Sequence, residues 1–383
     1  MLDGKVYFIK RRCMKILIMG YVGKRNTGIG RTLIETVKEL TKLDDTNKYI
    51  ICTNYDNEEL RYTKFKSNVK IITYKISRNS SIRNLIFNSL IFPFFALRER
   101  VDLVYIPNFA LILFTFKPIV SVIHDMIEFK VDEKFSWPRM VYRKNIVPRM
   151  AKISRKIITV SNNSKKDILE LCGVDEAKIE VIYDAVSNEF DKYPEKTSKS
   201  NSNYILYVGT VDFPGKNVHG VIKAFELFKN KSDIDLKLII CGMPGKGFEH
   251  IEQMIKESVA KKDILYKGYV TDEELVGIYK NAKCFLFMSF YEGFGLPVLE
   301  AMKMGVPVIT SNCSSLPEVA GNAAILCDPA DILSISEAIE KIITDDKVRN
   351  NLVEMGHQNI KRFSWESSAQ KTLNVFKSVL NSF

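Results

Sequence analysis

The feature that most constrains this chain is an alternation of short apolar runs with longer amphipathic segments, broken once and then begun again. The runs KILIMG (15–20), YIICT (49–53), VKIITY (69–74), VDLVYI (101–106), IVSVIH (119–124) and KIITVS (156–161) occupy the first half. Nearly continuous apolar runs of this length suit strands buried on both faces. The spacing between them leaves room for crossover helices, so a parallel sheet covered by helices is predicted. Between Ser187 and Asn203 the composition turns polar, with Pro194 followed by KTSKSNSN, too poor in apolar residues to pack. The alternation restarts as YILYVG (204–209), LKLIICG (236–242), ILYKGYV (264–270), CFLFMS (284–289), VPVITS (306–311) and AAILCD (323–328), and beyond Asp328 the pattern is helical. Thr271 and Glu274 have capping-box spacing ahead of one intervening helix. The expected organisation is α/β: a doubly wound N-terminal domain over 1–190, a linker over 191–203, and a second doubly wound domain over 204–383. The last helix is a candidate to pack back on the first domain. At 383 residues and 46% apolar composition the chain has material for two cores.

Seven cysteines, at 13, 52, 172, 241, 284, 313 and 327, form no CxxC pair and do not read as a disulfide framework, which predicts a reducing compartment. The residues before Met14-Lys15 lack the apolar centre of a secretion signal, and 1–13 are either an extension or the product of a misassigned start. The most apolar stretches, 85–97 and 109–123, are broken by Asn88, Pro93 and Lys117 and fall short of the roughly 20 residues a spanning helix needs. The expectation is a cytoplasmic protein that is not integral to a membrane.

Charge is distributed unevenly. Residues 1–190 hold 33 Lys+Arg against 21 Asp+Glu and residues 191–383 hold 23 against 24, so the net +11 is +12 in one half and −1 in the other. Such a half suits an anionic partner, nucleic acid or acidic lipid. No nucleic-acid motif accompanies it, and acidic lipid explains it better. Residues 135–156 carry seven Lys/Arg, no acid, and Phe135, Trp137 and Tyr142. This is either an interfacial helix with Trp137, Arg139, Tyr142, Arg143, Lys144 and Arg149 on the membrane or acceptor side, or a solvated crossover helix.

The segment with most chemistry is SFYEGFGLPVLE (289–300), which leads from the run CFLFMS into a helix with Pro297 near its start. A glycine-bearing loop between strand and helix offers backbone N–H groups and the positive end of a helix dipole to a diphosphate. Glu292 falls in the loop and Glu300 eight residues later on the helix, so the two carboxylates address different parts of one elongated ligand. Carboxylates accept hydrogen bonds from hydroxyls, and this fold binds ligands at the carboxyl ends of its strands. Lys216 sits in a Pro-Gly-Lys-Asn loop after YILYVG, where an ammonium can neutralise a leaving diphosphate. Gly28-Ile29-Gly30-Arg31 opens the first crossover helix, a weak signal by itself. Of the four histidines only His124 stands at the carboxyl end of a predicted strand, followed by Asp125. Asp233-Ile-Asp235 leads into LKLIICG and reads as a strand-entry pair. No cluster of His, Cys and carboxylates has metal-ligand spacing, so no metal is expected.

Glu292 and Glu300 with GFGLPVLEA resemble the signature of glycosyltransferase family 4, whose fold is GT-B. The resemblance continues through GVPVITSNCSSLPEVAGNAAILCDP, which is similar to bacterial mannosyltransferases of O-antigen and related polysaccharides. It reaches back to VSNNSKKDI, VGTVDFPGKN, GYVTDEEL and GIGR, most of the chain. It implies two Rossmann-like domains facing across a cleft, the second binding a nucleotide sugar. It implies that Glu292 contacts the donor hexose, that backbone at Gly293, Phe294, Gly295 and Leu296 meets its hydroxyls or phosphates, and that Glu300 accepts from the ribose hydroxyls. The same resemblance implies that Lys216 binds phosphate, that Gly268 and Tyr269 line the donor site, and that Gly28 and Gly30 lie opposite the phosphates. Arg31 is either part of that site or a surface cation. His124 approaches the reaction centre, with Asp125 orienting its loop. Many members carry Arg six residues before the phosphate-binding Lys, where this chain has Thr210.

The activity so implied is retaining transfer of a hexose, mannose favoured, from GDP-mannose or a UDP-hexose to a glycan or lipid-linked acceptor in cell-surface polysaccharide or lipopolysaccharide synthesis. No cofactor is expected beyond the nucleotide-sugar co-substrate, and the protein is expected to contact an anionic membrane peripherally. Competing readings are a GT-B-like sugar-nucleotide epimerase or phosphorylase, and a non-catalytic nucleotide-sugar-binding subunit of a polysaccharide assembly complex.

Overall fold

The computed structural model describes residues 13–20, 28–54, 57–75, 86–108, 110, 112, 114–131, 137–192 and 202–381. Every apolar run named above forms a strand. In the first half these are β1 (Lys15–Met19), β2 (Lys48–Asn54), β3 (Val69–Tyr74), β4 (Leu103–Ile106), β5 (Ile119–Val122) and β6 (Lys156–Thr159), joined by a three-residue β7 (Ile179–Val181) that the run pattern was too short to signal. The sheet order is β3-β2-β1-β4-β5-β6-β7. The second half contributes β8 (Tyr204–Val208), β9 (Lys237–Cys241), β10 (Ile264–Gly268), β11 (Cys284–Phe287), β12 (Val308–Ser311) and β13 (Ala324–Cys327), in the order β10-β9-β8-β11-β12-β13. β1 pairs in parallel with β2 and β4, and β8 in parallel with β9 and β11. Central strands are buried on both faces: Ile16, Leu17, Ile18, Ile205, Leu206, Phe285 and Leu286 are fully inaccessible. Each such aliphatic side chain contributes about 1.5–3 kcal/mol of burial free energy. These two parallel-strand, Rossmann-like sheets are the GT-B fold.

In both sheets the winding reverses, at β1/β4 and at β8/β11. Loops at the carboxyl ends of the two strands flanking such a reversal depart to opposite faces and leave a crevice for ligand. In the second sheet these are the loops bearing Lys216 and Glu292.

The chain forms two compact units, neither contiguous in sequence: residues 1–122 with 153–157 and 369–383, and residues 123–152 with 158–368. Their division does not follow the polar linker at 191–203. Residues 158–190 are tied to later ones by hydrogen bonds: Asn162 N and Nδ2 donate to Glu318 (3.0 and 2.7 Å), and Tyr291 OH donates to Asp167 (2.7 Å). In the first unit Phe376 of the last helix packs edge-on against Tyr105 of β4. Among the described residues no helix is long and apolar enough to cross a membrane.

Candidate functional site

The loop after β8 is built around Asp212, which is buried and accepts from Lys216 N (2.8 Å). Tyr207 closes the floor, its hydroxyl donating to Thr210 O at 3.1 Å. Burial, reinforced by the nearby carboxylates of Asp212 and Glu292, holds that phenol far above its ordinary pKa, so it stays a donor. The Phe213-Pro214 peptide is cis. Gly242, at the end of β9, is required by close approach: a Cβ there would lie 1.7 Å from Gly209 O.

The loop after β11 is held from two sides. Glu292 N donates to Ser314 Oγ (3.0 Å), whose hydroxyl returns a bond to Glu292 O (2.6 Å), and Ser315 Oγ donates to Phe294 O (2.7 Å). On the other side, Ser161 Oγ donates to Gly293 O (2.7 Å), while Ser164 Oγ lies 3.0 Å from His124 O and 3.3 Å from Gly293 O. A Cβ on Gly293 would sit 2.5 Å from His124 O, so only glycine lets these two backbones meet. Tyr291 adds a third tie, accepting from Met126 N (3.2 Å) while donating to Asp167, which also pairs with Lys130 (2.9 Å). Burial and the carboxylates of Asp125 and Asp167 push the Tyr291 phenol far up.

These loops bring Lys216 and Glu292 together: Nζ lies 2.5 Å from Oε1, with the side chains 18% and 13% exposed. Phe290 N donates to Gly215 O (3.2 Å) and joins the loops through backbone. Thr210 is exposed on the first loop. Gly295 has φ +121° and caps the helix Leu296–Lys303 without a side-chain hydrogen bond. Glu300, on that helix, is buried and accepts from Tyr279 OH (3.1 Å). Gly268 ends β10 with φ +71°, its carbonyl accepting from Gly242 N (2.8 Å), and Tyr269 beside it is exposed. His124, Lys216, Glu292, Gly293, Phe294, Gly295, Leu296 and Glu300 thus all lie in the second unit. Lys216 meets Glu292, and His124 meets Gly293. Asp233 and Asp235 stand in the turn before β9.

Gly28 opens the helix Gly28–Leu43 in the first unit and Gly30 is buried in its first turn. The loop before it, 21–27, lies outside the described residues, as does Phe135.

The helix Trp137–Ile153 requires a correction. Trp137 (78% exposed), Arg139, Tyr142, Lys144 and Arg149 face outward, but Arg143 does not. Arg143 shares the stripe of Ile146, Val147 and Met150 at helical spacing, all buried. Its guanidinium donates to Glu128 Oε2 through Nη2 (2.9 Å) and Nε (3.2 Å), with Asp125 at 3.9 Å. Glu128 is fully buried, and burial raises its carboxyl pKa against the pull of Arg143. Arg143 is therefore an internal counter-ion under the His124 loop and is removed from the membrane-side residues. Sequence reasoning also gave no role to Ser161, Ser164, Asp167, Asp212, Tyr291, Ser314 or Ser315. The signal was partly there, since VSNNSKKDI and SNCSSLPEV stood out as segments.

The family model described as Glycosyltransferase Family 4 matches residues 26–190, and that described as Glycosyl transferases group 1 matches 189–359. O-antigen chain mannosyltransferase B of Escherichia coli is 34% identical over 291 residues, 74% of this chain and 76% of that protein. O-antigen chain mannosyltransferase RfbU of Salmonella typhimurium is 28% identical over 337 residues, 85% of this chain and 90% of that protein. Among solved structures, HepE of Anabaena in complex with UDP and glucose superposes with a TM-score of 0.69 at 18% identity, covering 95% of this chain and 100% of that one.

Proposed function

The chain belongs to glycosyltransferase family 4, and we propose that it transfers a hexose, mannose before others, from a nucleotide sugar to a glycan or lipid-linked acceptor with retention at the anomeric carbon. The observation that carries this is the Lys216–Glu292 pair at the winding reversal of the second sheet. It holds one cation and one carboxylate where a sugar diphosphate would be gripped at both ends. The donor diphosphate draws the Lys216 ammonium toward the departing oxygens, and Glu292, so released, accepts from hexose hydroxyls. Glu300, steadied by Tyr279, accepts from the ribose, and Gly268 and Tyr269 border the base end. The backbone at 293–296 supplies further donors. The acceptor hydroxyl attacks the face the nucleotide leaves, forming the new glycosidic bond as the bond to phosphate breaks, and the departing phosphate takes its proton. Catalysis is then positioning and charge stabilisation.

The same reading supplies the phosphate's counter-charge from Lys216 and amides, so no cofactor or metal is assigned and transfer should persist in EDTA. The kinship with O-antigen mannosyltransferases supports mannose as the sugar and a role in surface-polysaccharide or lipopolysaccharide synthesis. GDP-mannose before a UDP-hexose, and peripheral work at the cytoplasmic face of an anionic membrane, belong to the same proposal and rest on the sequence and its charge asymmetry. The test is a thermal-shift comparison of GDP, UDP and ADP, followed by transfer assays with the matching donor. A nucleotide at 100 times its dissociation constant adds about 2.7 kcal/mol. Nucleotide release that requires a glycan acceptor supports the proposal. Release or epimerisation of the donor without acceptor, or no turnover with any donor, refutes it.

A further inference from the structure

The first unit carries a helix that is apolar on its outer face as well as its inner one. A π-helical turn (Phe87–Ile91) runs into the α-helix Phe92–Arg98. Its inward face is Phe87, Phe92, Pro93 and Ala96 together with Asn88 and Ser89, all buried. Its outward face is Ile86, Leu90, Ile91, Phe94 and Leu97, each 46–57% exposed. These positions recur at helical spacing and form one stripe. Phe116, 50% exposed, extends it, since Phe94 packs against the rings of Phe114 and Phe116 at 5.5 and 5.6 Å. In water the arrangement is doubly unfavourable: the apolar side chains stay wet, and Asn88 Oδ1 is buried with no hydrogen-bond partner among the described residues.

We infer that this stripe seats the protein on an anionic bilayer, lying in the interface plane with Leu90, Phe94 and Leu97 among the acyl chains. The stripe is too short to span, which leaves surface insertion as the way to bury it in lipid. Its rim selects the lipid charge. Arg98 and Arg100 are exposed beside it, and Lys117 follows Phe116. Glu99, the acid between Arg98 and Arg100, is drawn to Lys15 and Lys70, each 3.9 Å away. A second copy docking through the same face would set these cations against their own images in a half already at +12, whereas anionic headgroups neutralise them. The inference rests on the membrane-surface part of the proposed function and moves its anchor away from the helix Trp137–Ile153.

The experiment is vesicle flotation without substrate, on the full chain, with phosphatidylglycerol and with phosphatidylcholine vesicles. The wild type should float with the first and bind the second at least tenfold less at low salt. The triple variant Leu90→Ser, Phe94→Ser, Leu97→Ser should lose binding at least tenfold, keep its melting temperature, and transfer sugar to a short soluble acceptor at the wild-type rate. Because that transfer is measured without vesicles, a failed glycosyltransferase reading and a failed membrane reading give different results. Absence of wild-type flotation overturns the inference. So does retention of binding by the triple variant while Trp137→Ser, Arg139→Ser, Lys144→Ser abolishes it, and so does a dimer that the triple variant splits in the absence of lipid binding.

Discussion

Lys216→Ala and Glu292→Gln should move nucleotide affinity in opposite directions. The Lys216 ammonium lies 2.5 Å from Glu292 Oε1, and the two side chains are 18% and 13% exposed. A diphosphate must draw the ammonium off that carboxylate, so part of its own attraction is offset by the pair it breaks. Two unit charges about 4 Å apart interact by about 4 kcal/mol at an effective dielectric constant of about 20. Residual solvent and the entropy of a fixed lysine reduce a partly exposed pair to about 1–2 kcal/mol. Glu292→Gln removes the competing charge and keeps an oxygen acceptor. Nucleoside diphosphate should therefore bind tighter by that 1–2 kcal/mol, a factor of about 5–30, while sugar transfer slows. Lys216→Ala should weaken the same ligand and slow transfer by about 10²–10³, the usual loss for one preorganised stabiliser. Thr210, where relatives carry a second cation, offers no compensation. Titration calorimetry with the nucleotide that stabilises the protein, and initial rates with its sugar conjugate, measure both quantities. If both substitutions weaken the nucleotide, Glu292 positions Lys216 rather than competes for it, and the reasoning is wrong. If Lys216→Ala costs less than tenfold in rate, backbone amides suffice and the role given to Lys216 fails.

Glu300→Ala should weaken nucleotide binding at least tenfold with the nucleoside monophosphate as well as the diphosphate, because the ribose loses its acceptor; equal affinity in calorimetry would remove Glu300 from that role. Arg143→Ala leaves the fully buried Glu128 without its counter-ion and should cost about 3–5 kcal/mol in urea unfolding. Burial already raises the Glu128 carboxyl pKa, so its contribution to stability is fully present below the ordinary carboxylate range and is lost as pH rises through the raised value. The deficit of the variant should accordingly be larger at pH 8 than at pH 5, and a pH-independent deficit would contradict that. Tyr291→Phe removes one hydroxyl bonded to Asp167 and Met126, a net of about 1 kcal/mol, and should lower kcat several-fold with KM for the donor little changed; an unchanged kcat would show that the loop is positioned without this tie.

Much of the fold was legible because parallel strands buried on both faces advertise themselves as uninterrupted apolar runs. The reversal of winding was not written in any run, since it depends on which strands become neighbours. At the site, GFGLPVLE and Lys216 stood out through residue type and spacing, whereas Tyr291, Ser161 and Ser164 act through partners more than a hundred positions away and carry no local pattern. Arg143 was misplaced because the segment 135–156 was weighed by composition. Its spacing to Ile146, Val147 and Met150, three, four and seven residues, already put it on the inward stripe. The apolar stretch 85–97 was judged only on whether it could span a membrane. That Ile86, Leu90, Ile91, Phe94 and Leu97 share one exposed face depends on which side of the helix meets the core, and no run of apolar residues records that.

The interleaving of the two compact units has a bearing on biosynthesis. As the chain emerges from a ribosome, residues 123–152 and 158–190 appear before Gly293, Glu318 and Tyr291 exist, and the sheet with which they share a unit is still unmade. Until then Asp167 lacks Tyr291, Ser161 and Ser164 lack the Gly293 carbonyl, and Asn162 waits for Glu318. The first unit waits longer, since residues 369–383 follow all its other parts and Tyr105 has no Phe376 to pack against until they are made. A nascent chain therefore presents the exposed stripe of the helix at 86–98 before residues 369–383 complete its unit. For the same reason, cutting the gene at the polar stretch 191–203 would sever hydrogen bonds on both sides of the cut rather than release two self-sufficient pieces.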